Sequence, residues 1–204
     1  MNTPPTPFHD IASALADEGW CVVPDFLSAA QTRALADDCR ALRDARRLTP
    51  ARVGRLRTAT PLRSDSTHWF QADALSAPQQ VFADRLDALR VTLNRELMLG
   101  LAECESHYAV YPPGGGYTRH LDRLRDNDAR VLSAVFYLNE AWQVADGGAL
   151  RLYLANGSSR DIYPHAGTLL LFLSAQFEHE VLPATRERMS IACWMRQRAL
   201  VPTF

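Results

Sequence analysis

His120 and Asp122, a histidine and a carboxylate separated by one residue, could bind a metal ion together. A second histidine, His179, follows much later in the chain. Alternate side chains of an extended strand share a face, so His120 and Asp122 are expected to point the same way and Leu121 into the opposite layer. Two imidazoles and one carboxylate on one side of a metal form the 2-His-1-carboxylate triad, which leaves coordination positions open and is typical of non-haem Fe(II) oxygenases. Such a triplet alone is a weak signal, because it also occurs by chance.

An arginine follows the second histidine in a strand-like segment. Arg188 and Ser190 occupy alternate positions of the apolar run 188–195, and if 178–181 is its neighbouring strand, both side chains face the cavity of the candidate ligands. A 2-oxoacid chelates iron through its keto and adjacent carboxylate groups. The planar guanidinium group of Arg188 suits the distal carboxylate of such a co-substrate. The alternative, a surface ion pair with a nearby glutamate, fits poorly with an apolar strand.

The elements that must position these residues fall into a helical half and a strand-rich half. Periodicity predicts helices over 10–19, 29–42 and 79–99, with Ser28 as the N-cap of the second and residues Val81, Phe82, Leu86, Leu89, Leu93 and Leu97 as the buried stripe of the third. Strands are predicted over 20–23, 107–111, 130–138, 149–153, 160–163, 168–173 and 188–195. Helices followed by short strands and glycine-rich turns predict an α+β fold, a β-sandwich or jelly roll with the helices packed on one outer face.

The segment 46–63 lies between the predicted helices and is strongly basic. It contains six arginines, at positions 46, 47, 52, 55, 57 and 63, and no acidic residue. This composition predicts a mobile loop or loose hairpin. A charge run is most often a solvated surface, but the rest of the chain is markedly acidic by comparison, which favours a binding role. Arg55 and Arg57 are therefore candidate substrate contacts.

The overall composition narrows the class of protein. A chain of 204 residues with a formal net charge of −1 is sized for one well-packed domain and shows no charge excess that would indicate a nucleic-acid or membrane partner. Every basic residue is an arginine, so no lysine can form a Schiff base. The four cysteines form no C-x-x-C pair, and the first residues lack a signal-peptide pattern. We therefore expect a cytoplasmic protein with reduced thiols. The sequence leaves the oligomeric state open, with a monomer favoured.

Four motifs occur in order around the candidate ligands: YPPGGGYTRHLD at 111–122, VFYLNEAW at 135–142, GGALRL at 147–152 and HEVLPA at 179–184, followed by Arg188 and Trp194. With these motifs the chain resembles the 2-oxoglutarate/Fe(II)-dependent dioxygenases, and within them the prolyl hydroxylase branch of hypoxia-sensing enzymes and their bacterial relatives. The resemblance covers residues 105–195 well and the N-terminal helices more loosely. It implies a double-stranded β-helix, a cupin-like jelly roll, with the N-terminal helices packed on one sheet.

The resemblance also implies a role for individual residues. His120, Asp122 and His179 would be the catalytic metal ligands and bind Fe(II). The co-substrate 2-oxoglutarate would be bound by Arg188 through its distal carboxylate, with a hydrogen bond from Tyr137, and Ser190 would lie beside them. Further implied contacts are Tyr111 at the iron and co-substrate, Leu150 and Trp194 as pocket walls, and Arg130 at a peptide-binding groove. The reaction would also use O2, with ascorbate as a stimulant.

The implied activity is hydroxylation of a prolyl residue in an intracellular protein, with release of succinate and CO2. The bacterial branch points to a translation factor such as elongation factor Tu. We expect one dioxygenase domain over 1–204, with helical support over 1–100, a mobile basic loop near 46–63 and a catalytic core over 101–198. Two alternatives stay open: hydroxylation of a small molecule such as a free amino acid, and a catalytically silent jelly-roll binding module.

Overall fold

A computed structural model describes residues 6–51, 62–122 and 129–198. Its helices are α1 (Phe8–Glu18), α2 (Ala29–Asp44) and α3 (Ala77–Leu97), with a 3-10 turn at Val144–Asp146. Its strands are β1 (Trp20–Val23), β2 (Thr49–Pro50), β3 (Ser66–Trp69), β4 (Leu101–Tyr111), β5 (Tyr117–His120), β6 (Arg130–Tyr137), β7 (Leu150–Tyr153), β8 (Ser159–Ile162), β9 (Leu169–Leu173), β10 (His179–Val181) and β11 (Arg188–Gln197). The predicted helices and strands are confirmed, with ends that differ by a few residues.

Local capping explains where the helices begin and end. The hydroxyl oxygens of Ser28 and Ser76 each accept a hydrogen bond from the backbone N–H of the glutamine three residues later. The side-chain oxygen of that glutamine in turn accepts from the backbone N–H of the serine. These two capping boxes satisfy backbone N–H groups that have no partner inside the helix. Gly19 ends α1 with φ of 75°, a left-handed conformation in which a side chain would be strained.

The buried stripe of α3 was predicted with one wrong member. Phe82, Leu86, Leu89 and Leu93 are buried at helical spacing, whereas Val81 is 38 % exposed. The prediction that Val81 is buried is wrong. Successive helical residues are rotated by about 100°, and this rotation turns the Val81 side chain away from the sheet. Leu97, at the end of the predicted stripe, is only partly buried.

The strands form two antiparallel sheets. The larger has seven strands in the order β1-β9-β6-β11-β4-β3-β2, and the smaller has four in the order β5-β10-β7-β8. The helices pack on the outer face of the seven-stranded sheet, and a second apolar cluster joins the inner faces of the two sheets. This is the predicted α+β fold, a jelly-roll double-stranded β-helix with helices on one sheet.

Alternation along β11 separates the core from the cavity. Met189, Ile191 and Met195 belong to the core beneath the helices, while Arg188 and Ser190 line the space between the sheets. The period of two along a strand accounts for this division. Strands β1, β2 and β3, from the first hundred residues, also join the larger sheet. The proposed division of the chain at residue 100, and the single domain over 1–204, stay predictions.

The expected pairing of 178–181 with 188–195 is wrong. Strand β10 lies between β5 and β7 in the four-stranded sheet, whereas β11 lies between β4 and β6 in the other sheet. The bend between them carries the chain from one sheet to the other. Arg188 therefore reaches the cavity from the wall opposite His179, and not from a neighbouring strand.

Two further properties concern the cysteines and the helices. The four cysteines, all within the described residues, are free thiols. Among the helices of the described ranges, none has the length and apolar character that crossing a bilayer requires.

Candidate metal centre

The three candidate ligands converge at one end of the space between the sheets. Strand β10 pairs with β5 so that His179 lies directly opposite His120. Ligand atoms of His120, Asp122 and His179 all lie within 4.8 Å of one another, and within the described residues this is the only such group of histidine, cysteine and carboxylate side chains. The spacing suits the simultaneous contact of one metal ion by all three.

Asp122 does not reach the site by the route that strand alternation predicts. Strand β5 ends at His120, and Asp122 lies in a bend two residues beyond it. Leu121 is 40 % exposed and does not enter the opposite layer. The prediction of a continuous strand through this triplet is therefore wrong, although the carboxylate still faces the two imidazoles.

Backbone carbonyl groups fix the orientation of both imidazoles. Nδ1 of His120 lies 2.7 Å from the carbonyl oxygen of Thr118, and Nδ1 of His179 lies 3.3 Å from that of Phe177. A carbonyl oxygen only accepts, so Nδ1 carries the proton in each ring and Nε2 is left with its lone pair. Each Nε2 lies 3.7 Å from an oxygen of Asp122, which places the lone pairs toward a common centre.

The electrostatics of Asp122 and His179 favour the protonation states that bind a metal. Burial alone would raise the pKa of Asp122, but the neighbouring His179 and His120 and the hydroxyl of Ser133 together hold that pKa well below its ordinary value. Burial is the main cause of a lowered pKa for His179, and it outweighs the opposing effect of Asp122. A carboxylate and a neutral imidazole are the forms that bind a divalent cation.

A stacked column supports the outer side of His120. The ring of Tyr117 lies 3.6 Å from the His120 ring between centroids, with 20° between their planes. The guanidinium of Arg63 lies 5.1 Å from the Tyr117 centroid and forms a two-bond ion pair with Asp65, whose side chain is fully buried. Arg63, the last residue of the basic segment, is thus part of the wall of the site.

Arg188 forms the other end of the cavity and is only 1 % exposed. Its Nε donates to the carbonyl oxygen of Gly148 at 2.9 Å, and its Nη1 donates to Ser190 Oγ at 3.3 Å. Its Nη2 has no hydrogen-bond partner among the described residues. No acidic side chain in those ranges forms an ion pair with it. A buried cation without a counter-ion is costly, so this end of the cavity suits an anionic ligand.

Two tyrosines flank this guanidinium. The ring centroids of Tyr111 and Tyr137 lie 5.3 and 5.2 Å from its central carbon. Both are buried, and the hydroxyl of Tyr137 has no partner among the described residues. Burial raises the pKa of Tyr137 to about 12, so the phenol keeps its proton and can donate it to an acceptor. Tyr111 is one of the residues that line the cavity, and Tyr137 lies next to Arg188, which also lines it.

The other predicted site residues divide into those near the cavity and those outside the described residues. Leu150, Ser190 and Trp194 line the cavity together with Tyr111 and the three candidate ligands. Arg130 covers the Trp194 ring at 3.8 Å, and its Nη1 lies 3.4 Å from the backbone oxygen of Asp122. Arg55 and Arg57 lie outside the described residues.

Sequence reasoning did not single out Ser133, Tyr117 or Arg63 as parts of the site, although all three line the cavity. For Ser133 a usable signal existed, because it shares a strand face with Tyr137, a residue already assigned to the site. Tyr117 and Arg63 come from other segments, and their stacking on His120 depends on how those segments meet.

This geometry agrees with what the chain is similar to among known proteins. Residues 106–196 match the model of the 2OG-Fe(II) oxygenase superfamily. A Pseudomonas putida prolyl-4-hydroxylase of known crystal structure is 44 % identical, with a TM-score of 0.87 over 95 % of this chain and 100 % of that one. The chain therefore belongs to the 2OG-Fe(II) oxygenase superfamily.

The chain is also similar to two other known proteins. A prolyl hydroxylase from Trichoplax adhaerens, solved in complex with a hypoxia inducible factor oxygen degradation domain peptide fragment, is 26 % identical with a TM-score of 0.87, over 93 % of this chain and 89 % of that one. Human Egl nine homolog 1 is 28 % identical over 90 % of this chain but 45 % of its own length. The chain spans between 28 % and 57 % of the first four curated relatives that it matches.

The family and the triad imply Fe(II) as the metal and 2-oxoglutarate as the co-substrate. The residues present fit both groups. Three buried or half-buried ligands face one centre. At the other end, Arg188 Nη2 and the Tyr137 hydroxyl are buried donors that lack acceptors among the described residues, and a carboxylate would supply those acceptors.

Proposed function

We propose that this protein is a 2-oxoglutarate-dependent hydroxylase that acts on a prolyl residue of an intracellular protein, at a centre formed by His120, Asp122 and His179. When bound, Fe(II) with 2-oxoglutarate and O2 supplies the oxidation of a C–H bond to an alcohol, coupled to release of succinate and CO2. The protein's own residues bind the two partners, orient them and keep the site dry.

One observation carries the proposal: Arg188 is a buried cation with no acidic partner among the described residues, in the same cavity as the metal ligands. A dianionic co-substrate supplies that missing charge. Its distal carboxylate accepts from the guanidinium and from the Tyr137 hydroxyl, and Ser190 holds Nη1 in place. A module that only bound an anion would have no use for three candidate metal ligands in the same cavity as this arginine. This arrangement therefore favours an enzyme over a silent binding module.

A protein substrate is supported by the relatives and by the rim of the cavity. The Trichoplax relative was solved with a peptide fragment bound. In this chain the guanidinium of Arg130 lies over the buried Trp194 ring and beside the backbone of Asp122, so this arginine borders the cavity at the candidate metal centre. A side chain at that border can contact the parts of a peptide that extend beyond a single amino acid. Among intracellular proteins we propose a translation factor, elongation factor Tu, as the first candidate.

The direct experiment is turnover with purified protein, Fe(II), 2-oxoglutarate and air, with elongation factor Tu as substrate. We expect succinate to form and mass spectrometry to locate one added oxygen atom on a proline, and we expect neither with Asp122→Ala. Turnover of 2-oxoglutarate without oxygen on any proline of that partner would exclude it as the substrate. Proteins captured from lysate by Asp122→Ala, analysed for hydroxyproline, would then identify the partner. Hydroxylation of free proline but of no protein would instead establish the small-molecule alternative.

A further inference from the structure

We propose that Ser133 and Ser174 form a directed hydroxyl relay that positions the carboxylate of Asp122 for metal binding. The proposal rests on the proposed function, because it requires a metal at the triad. The two serines are not among the candidate ligands, and neither would bind the metal. They would act on it through Asp122.

The relay is short and buried. The Oγ of Ser133 lies 2.6 Å from Oδ2 of Asp122, and 2.9 Å from the Oγ of Ser174. All three residues are buried, Ser174 completely. Hydroxyl-to-carboxylate bonds of this length belong to the strong, charge-assisted class. Buried from solvent, they are also stronger than the same bonds would be in water.

The direction of the relay follows from counting protons. A hydroxyl has one proton, and the Ser133 hydroxyl donates it to Oδ2 of Asp122, since the carboxylate that would bind a metal only accepts. The contact between Ser133 and Ser174 therefore needs the Ser174 hydroxyl as donor. The chain of donors runs from Ser174 to Ser133 to Asp122, and each bond polarises the next toward the carboxylate.

Asp122 needs such support because its own strand does not provide it. Strand β5 ends at His120, so no ladder of hydrogen bonds fixes the residue two positions later. The contact of Arg130 is to the backbone oxygen of Asp122, and a contact to the backbone does not restrain the torsion that rotates the carboxylate. For an aspartate, the terminal torsion is broad and prefers no single value. The hydroxyl of Ser133 selects one orientation.

The relay also connects the two sheets at the metal centre. Ser133 lies in β6 and Ser174 directly follows β9, both in the seven-stranded sheet, whereas Asp122 follows β5 of the four-stranded sheet. The carboxylate ligand is thus positioned from the sheet opposite to the one that carries both histidines. Loss of the relay should loosen one ligand while the paired histidines keep their register.

The test measures metal affinity directly, without co-substrate or turnover. Mn(II), which does not oxidise in air at neutral pH, is titrated into metal-free protein and the free ion is measured by electron paramagnetic resonance. We expect Ser133→Ala to raise the Kd for Mn(II) by about tenfold to a hundredfold, the usual cost of losing a hydrogen-bond partner of a metal ligand. Ser133→Thr keeps the hydroxyl and should bind nearly as the wild type does. Ser158→Ala, which removes a hydroxyl from the exposed β7–β8 turn, should leave the Kd unchanged.

A double-mutant cycle distinguishes a relay from independent packing. Ser174→Ala should raise the Kd by less than Ser133→Ala, and it should add nothing in the Ser133→Ala background, because its effect passes through Ser133. An equal added effect in both backgrounds would overturn the relay, as would wild-type affinity in Ser133→Ala. Circular dichroism of the metal-free variants checks their fold. If the wild-type protein binds no Mn(II), this proposal and the proposed function are both overturned. If it binds Mn(II) with the expected variant effects but hydroxylates no proline, only the proposed function is overturned.

Discussion

His120 and His179 lie directly opposite each other on the antiparallel strands β5 and β10, with their ring centroids 4.3 Å apart. The register of one strand pair therefore assembles two of the three ligands, and a shift by one residue would turn one imidazole away from the cavity. The third ligand, Asp122, is held from the other sheet. This arrangement makes the histidine pair the rigid part of the centre.

Removal of one imidazole should abolish metal binding but preserve the fold. We expect His179→Ala to lose measurable Mn(II) binding and to reduce 2-oxoglutarate turnover below detection. The two remaining protein ligands would not compensate the ion for the water ligands that it gives up on binding. Titration calorimetry and succinate release measure these effects. His165→Ala, at an exposed histidine, is the matched control and should behave as the wild type. Retained turnover in His179→Ala would refute the assignment of this residue as a ligand.

Loss of the donors at the closed end of the cavity should act on the co-substrate. Arg188→Lys replaces a planar pair of donors by one ammonium group, and Tyr137→Phe removes one hydroxyl. Bonds to a charged group are worth about 1.5 to 3 kcal/mol, so we expect the KM for 2-oxoglutarate to rise by about tenfold to a hundredfold in each variant. Steady-state kinetics with varied 2-oxoglutarate gives the measurement.

The matched control for the phenol is Tyr163→Phe, at a half-buried tyrosine outside the cavity lining. It should leave the KM for 2-oxoglutarate unchanged. The Kd for Mn(II), measured in the absence of co-substrate, should also be unaffected in Tyr137→Phe. A larger effect on metal binding than on the co-substrate would contradict the assignment of Tyr137 to the distal carboxylate.

Gly148 should be intolerant of a side chain for two separable reasons. Its φ is +67°, and an added Cβ would lie 2.9 Å from the Cβ of Ala184 and 3.4 Å from the Cδ of Arg188. We expect Gly148→Ala to lower the free energy of unfolding by about 2 to 4 kcal/mol, from backbone strain and overpacking together. It should also raise the KM for 2-oxoglutarate, because the Gly148 carbonyl oxygen accepts from Arg188.

Gly157→Ala isolates the first of these reasons. Its φ is +82°, and nothing lies within 4 Å of an added Cβ. This variant should lose only about 1 kcal/mol in urea denaturation and keep the wild-type KM. Equal losses for the two glycine variants would show that contact with Ala184 and Arg188 is unimportant.

The buried His107 should make the fold sensitive to mild acid. Burial, and next the charge of Arg63, lower its pKa from 6.5 to about 4; Arg130 acts in the same direction, while the bond to the Tyr108 carbonyl and the charge of Asp65 oppose it. The unfolded chain therefore takes up a proton below about pH 6.5 that the folded chain refuses. Stability from this group is present above pH 6.5 and is lost as the pH falls to 4, by about 3 kcal/mol in total.

Urea denaturation between pH 7 and pH 4 measures this dependence. His107→Leu also changes the absolute free energy of unfolding, so the comparison concerns its slope with pH. We expect a shallower slope than in the wild type. His165→Ala removes a histidine from the surface and should keep the wild-type slope. Parallel slopes for His107→Leu and the wild type would show that His107 titrates normally in the folded protein.

Local patterns were sufficient for most elements and for the identity of the ligands. Ser28 predicted the start of α2, because capping depends on residues within one turn. The alternation of Arg188 and Ser190 predicted that both face one cavity, because the period of a strand is local as well. The prediction for Val81 failed because helical periodicity shows which face is buried but does not define where that face ends.

What the chain determined by itself is the chemistry of its donors: two histidines, one carboxylate and a strand-borne arginine, in an order that matches an iron and 2-oxoacid site. The tertiary structure decided how they meet. It placed Arg188 on the wall opposite His179, ended β5 before Asp122 and brought Ser133 and Tyr117 to the ligands. These relationships depend on which strands pair and which sheets face each other, and such long-range contacts leave no period or spacing in the sequence.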